Sequence, residues 1–209
     1  MLLDVVSVLV HVVTIIFTAA ALGGAEGDVA WSYYDKDSVE IRYGLLKYRV
    51  ETEFRTTITA WDSSQCTADV CDDCHDTGVA VLIFLIFAFV GTTGTTLLIL
   101  AKLGGFYHYP KSVILTAEFV LTVLYLIVWA SWAGGCHRGL DREDEDIDVS
   151  TGFALTFLCF VFLPAVAVIQ NVAFNNEGAS DRGGGNTAVP QVVASSSNTK
   201  DNEKTQQVV

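Results

Sequence analysis

Positive charge is scarce in this chain: 12 Lys and Arg stand against 24 Asp and Glu in 209 residues, a formal charge of −12. A nucleic-acid partner needs basic side chains to neutralise its phosphates, so that class is set aside. Catalytic patterns are lacking too. There are four His, and GxSxG, HExxH and a glycine loop placed to cradle phosphate are all missing; the GGG at 183–185 follows no strand. The chain is therefore read as a non-enzyme with no catalytic residues and no cofactor. No Asn-x-Ser/Thr triplet occurs, so N-glycosylation is not expected.

Apolar residues, by contrast, make up 51% of the chain and are gathered into blocks. The runs 5–22, 79–101, 113–133 and 153–174 each approach the roughly 20 residues that a helix needs to cross about 30 Å of hydrocarbon. This predicts an all-α membrane bundle of four transmembrane helices, at about 3–24, 79–101, 112–133 and 152–174. The second run carries no charge, and its Gly91, Thr92, Gly94 and Thr95 offer small surfaces for close helix approach. Trp129 and Trp132 end the third run, where amphipathic rings favour the headgroup layer. Pro164 removes one hydrogen bond from the fourth helix and is expected to kink it. The first run followed by small residues also has the outline of a secretory signal, but Asp4 stands where a signal carries basic residues, and a retained helix is favoured.

Four crossings put both termini on one side and leave 25–78 and 134–151 as loops on the other. Lys and Arg counts do not decide which side is which. Cysteine does: Cys66, Cys71, Cys74 and Cys136 all fall in those two loops, and paired thiols persist in oxidising compartments. The loops are accordingly placed outside, with both termini cytosolic and the plasma membrane as the location. From 46 to 60, apolar or Thr residues alternate with Lys47, Arg49, Glu51, Glu53 and Arg55, which predicts a small extracellular antiparallel β-sheet in the first outer loop with pairing charges on its wet face. Val39, Ile41, Tyr43 and Leu45 hold the opposite parity, so a turn or bulge is expected over Gly44–Leu46. Residues 175–209, rich in Asn, Ser, Gly and Gln, read as a disordered cytosolic tail whose TQQVV end offers a weak PDZ-type contact.

This layout of four helices, a strand-bearing first outer loop and a small second one resembles the claudin-like tetraspan group. Trp31 after the first helix, Gly44-Leu45 and the SWA at 131–133 carry that likeness. The chain resembles more closely the amastins, surface proteins of unicellular parasites: YGLLKYR at 43–49 with Tyr43, Gly44 and Leu45, AWDSSQC at 60–66 with Trp61, VWAS at 128–131 and GFAL at 152–155 match their segments. The signature cysteines five before and five after the Gly are here Val39 and Arg49, so the family disulfide cannot form as usual. The resemblance implies a multi-pass surface protein acting through lateral or intercellular contacts, in adhesion, surface organisation or membrane homeostasis.

Several constellations remain. Cys66, Cys71, Cys74 and Cys136 are disulfide candidates, with Cys66 joined to Cys71 or Cys74 and Cys136 taking another. CDDCH at 71–75 also matches a haem-attachment pattern, and these cysteines with His75 and His137 have the chemistry of a zinc site, but disulfides compete for the same sulfurs outside the cell and no metal is assigned. His11 and Glu118 lie within one or two turns of the same depth and form a candidate intramembrane polar pair, expected to face the bundle interior. Such a pair fixes helix pairing or, in the alternative reading, lines the path of an ion or proton conduit or auxiliary channel subunit. Finally, twelve acids from Glu26 to Asp76 and six from Asp141 to Asp148 meet only seven Lys and Arg in the two outer loops, which makes the outer surface acidic and leaves the body near neutral. The partners implied are the lipid bilayer and, by self-association or otherwise, other membrane proteins.

Overall fold

A long apolar run satisfies its own backbone only as a helix, and all four runs do so. A computed structural model describes residues 2–23, 29–36, 38–62, 66, 69–106, 110–143 and 147–183. Helix α1 spans Leu2–Gly23; strands β1 (Ser32–Lys36), β2 (Val39–Tyr43), β3 (Lys47–Thr52) and β4 (Arg55–Ala60) follow; then come α2 (Asp69–Leu103) and α3 (Lys111–Trp132). A wide π-helical turn, Ala133–His137, leads into α4 (Arg138–Glu143), β5 (Ile147–Val149) and α5 (Thr151–Gly183). α1, α2, α3 and α5 are each long and apolar enough to cross a membrane.

Three boundaries differ from expectation. Helix α2 begins at Asp69, so the acidic cysteine segment is helix rather than loop. Its buried Cys71, Cys74, Gly78, Val81, Leu85 and Ala88 recur at helical spacing, while Asp72, Asp73 and Asp76 stay in the open, favourably close to the positive end of the helix dipole. The segment 134–151 is likewise mostly helix and strand, because Gly134 and Gly135 let the chain widen into a π turn instead of breaking. Helix α5 runs unbroken through Pro164 and on to Gly183, past the expected end at 174. Residues 184–209, including the TQQVV end, lie outside the described residues.

Each long helix packs on two neighbours, α1 and α3 both on α2 and α5, so α1 and α3 face each other across the diagonal. The inward face of α1 is polar, those of α2, α3 and α5 are largely apolar, and the outside of the bundle is apolar. On α1 the buried residues are Asp4, Ser7, His11, Thr14, Thr18 and Ala21, spaced alternately three and four apart, while Leu2, Leu9 and Ile16 are exposed. Phe87, Leu97 and Phe119 on α2 and α3 are more than half exposed as well. An apolar belt of this kind in water would exceed what a soluble monomer tolerates.

The sheet caps the end of the bundle opposite the chain termini, in the order β4-β3-β2-β1-β5, all pairs antiparallel. The turn over Gly44–Leu46 falls where expected. The alternation over 46–60, however, is not one strand face: a two-residue turn, Glu53-Phe54, pairs Tyr48 with Thr59 and Val50 with Thr57. Directly opposed residues share a face, so the parity reverses at the turn, Thr59 is buried, and Ile58 points outward at 53% exposed. On the charged face, like charges oppose one another, Glu40 with Glu51 and Arg42 with Arg49. Ion pairs run along the strands, Arg42 to Glu40 and Arg49 to Glu51 at 3.1 Å, so charges on this face do pair as expected.

Candidate functional site

Two clusters gather the residues singled out in the sequence. The first joins the sheet to the bundle. Trp61 lies against Tyr43, rings stacked at 5.9 Å, and against Tyr48 at 4.8 Å, and its Nε1–H donates to the Gly44 carbonyl at 3.0 Å. That bond holds the Gly44-Leu45 turn down on α2. Leu45 is fully buried, and its carbonyl oxygen is so close to Gly78 that an added Cβ there would lie 1.8 Å away. Gly78 was not singled out in the sequence; nothing local marks it, because the requirement comes from the backbone crossing it.

Trp31 belongs to the same cap but faces the bundle axis. Its Nε1–H donates to the Ala21 carbonyl at 3.2 Å and its ring meets Trp132 at 5.4 Å. Trp132 is fully buried and donates to Ser32 Oγ at 3.1 Å, which in turn lies 3.1 Å from His137 Nδ1. Trp132 is thus a core residue of the junction and not a headgroup anchor; Trp129 packs on Phe153 and Phe157. Gly152, at the start of α5, lets Trp31 and Ala30 approach to about van der Waals contact, since a Cβ would stand 2.9 and 3.0 Å from them. Of the two helix glycines expected to mediate packing, Gly91 lies under Leu121, whereas Gly94 faces open space.

The sulfurs resolve the open alternatives. Cys66 bonds Cys71, closing the loop onto the first turn of α2, and Cys74 bonds Cys136, tying α2 to the π turn. All four candidates are consumed, which takes the thiolates from the zinc and haem alternatives; Cys159 is free and buried. On the charged sheet face, Tyr33 donates to Asp35 at 3.1 Å, and its phenol is pushed above the ordinary tyrosine value, first by loss of surrounding water and then by that carboxylate.

The second cluster is the bundle axis. His11 Nε2 lies 2.8 Å from Glu118 Oε1, both side chains without exposed surface, so the depth match read from the sequence is a direct contact. His11 Nδ1 lies 2.9 Å from the Ser7 carbonyl; a carbonyl only accepts, so Nδ1 carries a proton and Nε2 is the nitrogen that faces the carboxyl group. Removing one partner from a buried pair of this kind costs about 3–5 kcal/mol, because the other is left uncompensated. Two turns further on, Thr18 and Tyr125 hydroxyls meet in a short hydrogen bond. Both pairs are 107 positions apart in the chain, so α1 and α3 run parallel in a fixed register across the diagonal. Tyr125 also faces Thr92 of α2 and Cys159 of α5, which brings all four long helices to one hydroxyl. Tyr125 and Thr18 were not read from the sequence, although each follows its charged neighbour by seven residues on the same helix face. At the terminal end, Lys102 donates to Asp4 at 3.0 Å.

Compared with known proteins, the chain matches no family model and no curated protein.

Proposed function

We propose that this chain is a multi-pass plasma-membrane protein, amastin-like within the claudin-like tetraspan group, that acts through lateral or intercellular contacts made by its disulfide-stapled sheet. In this reading both termini are cytosolic, the sheet end is extracellular, and the protein serves adhesion, surface organisation or membrane homeostasis without catalysing a reaction. The bilayer is its first partner and a second copy or another membrane protein is the next.

The observation that carries the reading is the far edge of the sheet. Phe54, at the β3–β4 turn, is 92% exposed, and Ile58 projects from the edge strand beside it. Both stand away from the apolar belt of the helices, where lipid has no claim on them, and large apolar groups placed so mark contact surfaces. Trp61, packed on Tyr43 and Tyr48 at the end of the edge strand, fastens this edge to the sheet, which lowers the ordering cost of a contact.

Cross-linking of the surface-expressed protein through single cysteines introduced at Phe54 and Ile58 tests it. Covalent dimers or adducts to a neighbouring membrane protein are expected, and Ile58→Asp in the chain with Cys at 54, or Phe54→Asp in the chain with Cys at 58, should reduce them by roughly tenfold, the effect of losing about 1.4 kcal/mol of contact energy. Cross-linking that is no greater than at exposed Thr56 would set the contact reading aside.

A further inference from the structure

We propose that His11 and Glu118 form a proton-binding site which shares one proton at rest and takes up a second, at Glu118 Oε2, from the terminal end of the bundle only. This goes beyond the contact reading and does not depend on it.

The geometry of the pair is the starting point. With Nδ1–H held by the Ser7 carbonyl, one mobile proton remains between Nε2 and Glu118. The 2.8 Å approach is within hydrogen-bond reach, so that proton is shared between the two groups. The other carboxylate oxygen, Glu118 Oε2, is fully buried and has no partner, and neither has Ser7 Oγ. A buried acceptor of this kind is expensive to leave empty, and an added proton turns it into a neutral O–H. In the uptake step, an O–H bond of a hydronium ion breaks as one forms at Oε2, leaving water behind; Nε2–H stays on the imidazolium, and the pair passes from net zero to one positive charge.

The surroundings set the direction of access. Toward the terminal end, the inward stripe of α1 continues from His11 to Ser7 and Asp4, where Lys102 of α2 reaches the surface. Successive members are three or four residues apart, about 5–6 Å along the axis, and Ser7 Oγ between them has no partner. Toward the sheet the route is closed. Thr14 and Thr18 donate their hydroxyl protons back to the Val10 and Thr14 carbonyls, and beyond Tyr125 the axis ends on Ala21 and on Trp31 and Trp132, whose indole N–H groups are already donated. Among the described residues, the titratable groups facing the axis are Asp4 on α1, Lys102 on α2, Tyr125 on α3 and Cys159 on α5. Asp4 and Lys102 pair with each other, and the two neutral groups sit on the closed side.

Infrared spectra of the purified full chain, reconstituted in vesicles, test the site. In spectra recorded from about pH 8 to about pH 4, a protonated-carboxyl band is expected that is lost in Glu118→Gln. Should that variant fail to fold, Glu118→Asp moves the same band instead. Absence of any Glu118-dependent band over that range, in the wild type itself, overturns the proposal. Access is read in the same vesicles with a trapped pH dye: proton flux no greater than in protein-free vesicles supports one-sided exchange. Flux that Glu118→Gln abolishes overturns it in favour of a through path.

Discussion

At the scale of single residues, the molecule depends on positions where a side chain is absent as much as on those where one is present. Gly78 is the sharpest case, because a Cβ there would meet the Leu45 backbone oxygen, which cannot rotate away. Gly78→Ala is therefore expected to destabilise the protein by about 1–3 kcal/mol, seen as a lower unfolding temperature in detergent. Gly94→Ala, on the same helix and with nothing within 4 Å, should be neutral or stabilising by up to about 1 kcal/mol. Equal losses at both positions would mean that the turn over Gly44-Leu45 does not rest on α2. His11 and Glu118 were legible in the sequence, since an ionisable group in a long apolar run has few places to go but inward. Gly78 was not, since the need for glycine arises from a segment more than thirty positions earlier.

At the scale of elements, the apolar runs announced their helices and the parity change announced the β2–β3 turn. The β3–β4 turn was hidden because Glu53 and Phe54 are neither Gly nor Asn, and the alternation of apolar and charged residues runs through them unbroken. Strand β5 was hidden for a different reason: three residues carry little pattern, and its partner β1 lies more than a hundred positions away. The two disulfides differ in the same way. Cys74–Cys136 closes a separation of 62 residues and Cys66–Cys71 one of 5, so chain entropy assigns about 4 and about 2 kcal/mol to them. Thermal unfolding of the paired Cys→Ala variants should show the larger loss for the Cys74/Cys136 pair. The reverse order would indicate that α2 and the π turn are held together by packing, through Thr77 on Gly135, rather than by the bridge.

At the scale of the whole molecule, charge and hydrocarbon are separated along one axis, with the acids that open α2 and those of α4 at the sheet end and the apolar belt around the helices. A membrane-impermeant thiol reagent applied to intact cells should label a cysteine placed at Phe54 and leave one placed in residues 175–183 unlabelled until the cells are opened; the opposite pattern would invert the proposed orientation. The fixed register of α1 against α3 carries one more consequence, for the making of the protein. The groups that satisfy Asp4 and His11 are Lys102 and Glu118, synthesised about a hundred residues later. At about 5–20 residues per second of synthesis, the first helix waits on the order of 5–20 s with its polar stripe unmatched. In the proposed membrane setting a nascent chain in that interval is a poor lipid solute, so α1 is expected to linger at the insertion machinery until α3 emerges.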